Sequence, residues 1–518
     1  MVARKLFNNT RRILKGLAVR KFDILLICLV VVLPVGFSGS VFGSEIIKNV
    51  TIYREIGKFC GWPANEGAWN WGDEILVCFE LHEYKETNRA VDPTDHHVNW
   101  NAGYEKVTAR SMDGGLTWKL ERPAAFNKGD DKGSPMDCPG SIVFTHPDFA
   151  LRLRGNRFYY SYSRGREWFG PFRLPKYGDR MGSRTEYIVN GAEDCMIFLR
   201  SEKGLACLRT TDGGKSFKVI SEDIGIKGKA HSIMPSTVRL TENKIIMALR
   251  QLAGEPEVAW IDIYNSEDDG KTWNFLSKVA DADKKYWNGN PPSMVKLKDG
   301  RIAVTYGYRA MPYGIRAKIS SDQGKNWGPE LILREDGINW DIGYSRTVQR
   351  ADGKCVTMCY YSSYENYNAG IEAVIWDPER ISNLEVEKAQ AQAIADNIDI
   401  IENSMNQVAR LSSGQVKSVN PLVWWVQEKE MACDRISWIA SEYFIARRIK
   451  PVVRYAGGAK PMPNMRKILT LQQLLYENAR AKSSEDTEVV NKLRQLQAQF
   501  VNVYSSDFNT TSKAGGWK

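Results

Sequence analysis

Five histidines occur in the 518-residue chain, at positions 82, 96, 97, 146 and 231. An imidazole titrates near neutrality and can give or take a proton during catalysis. Arg184, Arg250, Arg309 and Arg316 each offer a planar fork of parallel N–H donors, which suits a carboxylate. A tyrosine such as Tyr344 paired with a histidine would suit β-elimination from a uronic-acid glycan. Three histidines could hold a metal only if their loops converge, and no metal or cofactor is expected. The simpler role for each histidine is a hydrogen bond to a neighbouring loop. None of the nine cysteines forms a Cys-x-x-Cys pair, so zinc ribbons and dithiol redox motifs are excluded.

These groups need a scaffold, and the sequence repeats. Four octets share one pattern: Ser-Met-Asp-Gly-Gly-Leu-Thr-Trp from Ser111, Thr-Thr-Asp-Gly-Gly-Lys-Ser-Phe from Thr210, Ser-Glu-Asp-Asp-Gly-Lys-Thr-Trp from Ser266 and Ser-Ser-Asp-Gln-Gly-Lys-Asn-Trp from Ser320. A worn copy starts at Ser161, with Ser163 in the aspartate place. A step near 50 residues fits one four-stranded blade of a β-propeller, and residues 45–380 hold about six such steps. In each octet the carboxylate can accept backbone N–H groups inside a tight turn. The fifth-position glycine can take positive φ, and the aromatic ring covers the turn. Asp113, Asp212, Asp268 and Asp322 are therefore read as turn-builders, not catalysts.

Between the octets lie hairpins. Residues 293–297 turn at Asp299-Gly300 into 302–306, and 346–350 turn at Asp352-Gly353 into 355–360. Asp-Gly between alternating runs is a strong hairpin signal. Residues 236–240 with 245–249, and 149–153 with 158–162, repeat the layout. When the hairpins are registered on their turns, the position before each innermost strand should face the central mouth. Tyr344, Pro291, Met234, Pro147 and Arg184 become equivalent, with Ala64 and Asn65 in the first blade. Glu66, Asp148, Glu186, Asn290 and Asp341 are their neighbours, and His146 and His231 approach the same mouth. Propellers bind ligands at such an axial ring of polar groups.

Octets and hairpins on this period resemble the sialidase (neuraminidase) superfamily, with its Asp-box six-bladed propeller, over about two thirds of the chain. Gly61-Trp-Pro-Ala, Trp71-Gly-Asp-Glu-Ile-Leu, Asn290-Pro-Pro-Ser and Asp341-Ile-Gly-Tyr are similar to an uncharacterised bacterial branch. Sialidases use a tyrosine nucleophile. The resemblance implies a glutamate that deprotonates it, an aspartate acid/base and three arginines on the substrate carboxylate. It assigns Tyr344 as nucleophile and Arg250 and Arg316 as carboxylate ligands, with Arg309 competing for the last role. Asp92 or Asp95 falls in the loop of the general acid, which also contains His97. Two family features are absent. The early Arg-Ile-Pro reads Gly61-Trp62-Pro63, and the glutamate of the fourth blade reads Met234. Without that glutamate, a phenol of ordinary pKa near 10 lacks its usual activator, which leaves Glu186, Glu66 or a histidine to substitute. These departures argue against strict sialic-acid hydrolysis. Arg184, Asn65, Glu66, Asp148, His231, Asn290 and Asp341 complete the expected substrate-binding set. The expected function is a sialidase-like glycoside hydrolase acting on a complex, anionic glycan or polysaccharide. The alternatives are a non-catalytic glycan-binding propeller and a Tyr/His polysaccharide lyase.

The flanks differ in kind. Seven basic residues precede residue 24 against Asp23 alone, so from Glu45 onward the net charge is only about +4. No dense basic stripe is present, and no nucleic-acid partner is expected. An apolar run over 24–37 with a small-residue exit reads as a secretory signal, so export to the periplasm, the cell surface or the medium is expected. The alternative for 1–44 is an uncleaved membrane anchor. Cys78, Cys195 and Cys355 sit in apolar runs and read as buried thiols. After residue 382 the period changes: Ala391, Ile394, Ile398, Ile401, Met405 and Val408 recur at helical spacing, as do Val489, Leu493, Leu496, Phe500 and Val503. The fold class is therefore mainly β, a six-bladed β-propeller over 45–382 with a C-terminal all-α helical module over 383–506 and an irregular tail over 507–518. The helices either pack on the propeller or serve as an oligomer-forming element.

Overall fold

The computed structural model describes residues 47–85, 96–126, 133–226, 231–254, 258–283, 290–310, 313–363, 366–380, 383–413, 420–448, 463–484 and 486–511. The expected signal or anchor, Asp92, Asp95 and the last seven residues lie outside them.

Residues 47–376 form six antiparallel sheets arranged as the blades of a propeller. The first strand, β1 (Ile47–Tyr53), belongs to the last blade. The first blade contains β2 (Lys58–Gly61), the one-turn helix α1 (Pro63–Glu66), β3 (Ala68–Trp71), β4 (Glu74–Glu83), β5 (Tyr104–Ser111) and β6 (Lys119–Glu121). The second holds β7 (Ala150–Arg154), β8 (Arg157–Ser161) and β9 (Phe169–Arg173). The third holds β10 (Gly182–Val189), β11 (Cys195–Ser201), β12 (Gly204–Thr210) and β13 (Lys218–Ser221). The fourth is β14 (His231–Arg239), β15 (Ile245–Ala253), β16 (Val258–Ser266) and β17 (Asn274–Asp283). The fifth is β18 (Ser293–Lys296), β19 (Ile302–Tyr308), β20 (Gly314–Ser320) and β21 (Leu331–Arg334). The sixth is β22 (Gly343–Gln349), β23 (Cys355–Ser363) and β24 (Asn366–Trp376), with β1 as its outermost strand. Antiparallel pairing of β1 with β24, from Ile47 opposite Trp376 to Tyr53 opposite Ile371, closes the ring. Innermost strands adjoin around the axis: β7 lies beside β10, β10 beside β14, β14 beside β18, β18 beside β22 and β22 beside β3.

The second strand of each blade is buried on both faces because neighbouring blades cover it, so it reads as a continuous apolar run, as in Ile75-Leu-Val-Cys-Phe and Ile245-Ile-Met-Ala-Leu. Eight cysteines, Cys78, Cys195 and Cys355 among them, are buried free thiols. The octets behave as turn devices. Asp113 Oδ1 accepts the Leu116 and Thr117 amides at 3.0 and 2.9 Å, and Trp118 Nε1 donates to Gly115 O at 2.9 Å. Asp212, Asp268 and Asp322 repeat the amide contact at 2.9, 2.9 and 2.8 Å. Each turn also seats against the preceding blade: a Cβ on Gly165 would lie 2.4 Å from Leu76 Cδ2.

One expectation of register changes. Ala150 opposes Ser161 in the same way that Cys195 opposes Thr210 and Ile245 opposes Ser266. The hairpin at 149–162 is therefore the second and third strands of its blade, not the first and second. Among the described residues the second blade is three-stranded, and β7 faces the axis.

Helices α2 (Asn383–Ser413), α3 (Asn420–Trp438), α4 (Pro463–Ser483) and α5 (Thr487–Thr511) follow, α3 running on in wider π turns through Ile439–Arg448. Their shared core includes Ile394, Ile398, Ile401, Ile436, Phe444, Leu471, Leu493 and Phe500, and it takes in Ile332 of β21. The helical module thus packs against the fifth blade. Helix α5 runs through Thr511, into the stretch expected to be an irregular tail. Among the described residues, no helix is long and apolar enough to cross a membrane, and no group of three or more His, Cys, Asp or Glu is placed to hold a metal.

Candidate axial site

Several innermost strands break their pairing at the end of the axis opposite the octets. The register slips between Ser183 and Tyr187 in β10, between Ile233 and Ser236 in β14, and between Gly343 and Arg346 in β22. In the first blade, α1 interrupts the inner edge between β2 and β3. Bulges re-aim side chains and are common beside active sites. Trp62, Met234 and Tyr344 take φ of 58°, 56° and 50°, left-handed values that cost non-glycine residues energy and persist only where the surroundings hold them. What holds Tyr344 is visible. Its N–H donates to Asn290 Oδ1 at 2.7 Å, while Asn290 Nδ2 donates to Ile342 O at 2.9 Å.

Three guanidinium groups converge near this tyrosine. Arg184 Nε and Arg346 Nη2 both donate to Ala64 O at 3.0 Å. Arg346 Nη1 meets Glu186 Oε2 at 2.9 Å and Nη2 also reaches Thr185 O. The other oxygen of Glu186 accepts Thr237 Oγ1 at 2.8 Å and the Thr237 amide. Glu186 therefore anchors Arg346. Arg184 is only 5% exposed, and its Nη1 and Nη2 are buried with no hydrogen-bond partner among the described residues. Burial, reinforced by Arg346 and Arg250, lowers its pKa to about 9, against the pull of Glu186 and Tyr344. Arg250 is buried beside Met234, with Nη1 at 3.6 Å from the thioether sulfur.

Beside Tyr344 is a second cluster. Arg309 Nε donates to Ile342 O at 3.0 Å and Nη2 to Tyr360 Oη at 2.6 Å. Its Cζ lies 5.4 Å from the Tyr344 ring and 5.2 Å from the Trp340 ring. Tyr360 Oη donates to Asp341 Oδ1 at 2.7 Å, and His96 Nδ1 is 2.8 Å from the same oxygen. Burial raises the Asp341 pKa, but His96, Arg309 and Tyr360 outweigh it and hold the carboxyl below the usual range. Trp62 stacks on Trp100 at 5.6 Å, and their edges meet His96. Trp62 is buried and Trp100 is 59% exposed, so Trp100 presents the aromatic surface to solvent.

The remaining expected residues are placed elsewhere or otherwise occupied. Glu66 is fully buried against Arg152 and Arg154. Desolvation opposes its charge, but the two guanidinium groups win and lower its pKa to about 2. It stays a fixed anion, engaged away from Tyr344. Asn65 contributes its amide to the α1 turn, donating to Trp62 O at 3.0 Å. Arg316 is buried and joined to Glu335 at 2.6 Å. Asp148 pairs with Arg164 of the worn octet. It therefore lies on the octet face, a consequence of the corrected hairpin register. His146 accepts the Asp148 amide at 3.1 Å on that same face. His231 is exposed, in a shallow depression with Glu202 and Asp223. His97 stacks on Tyr84 at 5.3 Å, while its neighbour His96 faces the axis. Sequence reasoning missed Arg346, which the register slip between Gly343 and Arg346 brings beside Glu186. It also missed His96, Trp100, Trp340 and Tyr360, for which no local signal exists.

Comparison with known proteins agrees with the repeat. Residues 192–357, within the third to sixth blades of the six-bladed propeller, match the BNR repeat-like domain. No curated protein matches it. Among solved structures, one Dyadobacter fermentans protein of unknown function is similar, at 21% identity and a TM-score of 0.47, over 64% of this chain and 98% of that one. The NanB sialidase of Streptococcus pneumoniae is similar at 12% identity and 0.42, over 64% and 71% of the two chains. An α-L-arabinanase of Penicillium chrysogenum is similar at 13% identity and 0.41, over 64% and 99%.

Proposed function

We propose that this chain is a glycan-processing hydrolase whose axial site takes a sugar bearing a carboxylate, with Tyr344 at the reacting centre. The observation that carries the reading is Arg184. A buried guanidinium whose Nη groups lack acceptors is costly, and native chains retain such groups mainly where a ligand or function completes them. Here its two free Nη groups lie in the shared field of Arg250, Arg346 and Tyr344. A carboxylate would supply the missing acceptors and offset the clustered positive charge. The exposed ring of Trp100, stacked on buried Trp62, supports a sugar ring beside it, because aromatic faces cover apolar sugar faces. The signal-like N-terminus supports an exported setting, where such glycans occur. The BNR-repeat match supports the glycan reading at the level of the fold only.

The Tyr344 hydroxyl has no carboxylate hydrogen-bonded to it among the described residues, and Met234 occupies the place where a glutamate is expected. This favours chemistry other than strict sialidase turnover. The test is direct. Calorimetric titration with free glucuronate and free N-acetylneuraminate should show binding by the wild type, weakened at least tenfold in Arg184→Met. A screen of aryl glycosides of both sugars should give turnover that Tyr344→Phe abolishes. Equal affinity for neutral glucose and glucuronate, or Arg184→Met binding unchanged, would sink the reading. Binding without any turnover would convert it to a lectin.

A further inference from the structure

Resting on that reading, we propose that His96, oriented by Asp341, is the proton donor and acceptor of the axial site. It would act in the role that sequence reasoning gave to Asp92, Asp95 or His97. Three independent observations converge on it. First, His96 Nδ1 and Tyr360 Oη share Asp341 Oδ1 at 2.8 and 2.7 Å, and Asp341 is 1% exposed. A buried carboxylate on one imidazole nitrogen fixes the tautomer and stabilises the imidazolium. Second, the other nitrogen, Nε2, has no hydrogen-bond partner among the described residues, and the side chain is 23% exposed. The ring is thus tied on one edge and open on the other. Third, the ring lies among Trp62, Trp100 and Trp340, with ring centroids 5.4, 6.3 and 5.4 Å away. That is the platform proposed above to carry the sugar. Tyr360 links the two halves of the site, with its ring 5.9 Å from Tyr344 and its hydroxyl on Asp341.

Among the described residues, the charged and titratable groups around the dyad are Tyr360 and Arg309, which meet each other beside Asp341, and the Glu80–His82 pair, whose imidazole packs on Trp62. With Nδ1 bound to Asp341 Oδ1, donation from Nε2 uses the doubly protonated ring. In the step assigned here, His96 Nε2–H gives its proton to the glycosidic oxygen as the bond from that oxygen to the anomeric carbon breaks. The bonding pair stays on the oxygen. Water then adds its hydroxyl to the anomeric carbon, and its remaining proton returns to His96. No oxidant, reductant or metal is needed.

Leaving-group dependence distinguishes a proton donor from a structural histidine. The probes are methyl and 2,4-dinitrophenyl glucuronides, with the corresponding N-acetylneuraminides, because the dinitrophenolate departs without a proton. His96→Gln should lose roughly 10²-fold or more in kcat on the methyl glycosides, remain within about tenfold on the dinitrophenyl glycosides, and lose one limb of the pH profile. Asp341→Asn should show the same preference for the activated substrate. Circular-dichroism melts of both variants report folding separately. Equal losses on both leaving groups, or an unaltered pH profile, overturn the dyad while leaving the hydrolase reading intact. A wild type that binds glucuronate and turns over neither substrate overturns both.

Discussion

At the scale of residues, the axial site is an exercise in holding awkward conformations. Tyr344 has φ of 50° and is kept there by Asn290, whose amide bridges Tyr344 N and Ile342 O. Gly343 makes room for that amide. Its φ is 104°, and a Cβ there would lie 2.3 Å from Asn290 Oδ1. Gly343→Ala should therefore cost about 1–3 kcal/mol in urea unfolding and disable turnover. Asn290→Ala should cost about 1–3 kcal/mol, since it leaves the Tyr344 amide without its acceptor and removes one of the two donors to Ile342 O, where Arg309 Nε remains. Tyr344→Phe removes only a hydroxyl with no protein partner among the described residues, so its midpoint should match the wild type. A large loss in Tyr344→Phe would show that the hydroxyl supports the fold.

At the scale of elements, the octet turn is the unit that repeats, and its carboxylate is part of the turn. In Asp212 the Ser216 hydroxyl leads, followed by the Ser216 amide and the Thr210 hydroxyl, and together they lower the pKa to about 2. A folded pKa below the unfolded one means that the contribution is complete above the unfolded value, near 4, and is lost as the pH falls through the folded value. Thermal midpoints followed from pH 6 to pH 2 should therefore decline most between about pH 4 and pH 2. Asp212→Asn should start lower at neutral pH and decline less steeply over that interval. Parallel curves would show that the acid loss originates elsewhere. The second blade illustrates how far an element can depart from the pattern. Its octet has Ser163 where the others have Asp, yet Ser163 Oγ still accepts the Glu167 amide at 2.9 Å. Among the described residues it has no further inner strand, and β7 sends Arg152 to Glu66 instead.

At the scale of the whole molecule, one strand closes the ring. β1 comes from the start of the propeller and completes the sixth blade on β24, so first and last segments are hydrogen-bonded to each other. Removing residues 47–53 would leave the β24 edge unpaired, and exposed edges invite association. Size-exclusion chromatography of that deletion should show aggregation or a broadened, less cooperative melt. A monomer with the wild-type melt would mean that the ring does not depend on its closure. The helical module adds its own core, joined to the fifth blade at Ile332.

The aspartate octets, the Asp-Gly hairpins and the switch to helical spacing after residue 382 were legible from residues alone, because each is a local device whose parts lie within a few positions of one another. The placement of Tyr344 and Arg184 near the axis followed from counting along such devices. The same count misplaced Asp148, because a hairpin of second and third strands looks like one of first and second. Nothing local could choose His96 over His97, or reveal that Arg316 is occupied by Glu335. Those outcomes belong to contacts between residues as far apart as 96 and 341, or 184 and 64, which exist only when six sheets close around one axis. Local spacing therefore determined the blades and their number. Closure of the ring decided which side chains meet at its centre, since that is set by bulges and side-chain partners contributed by different blades.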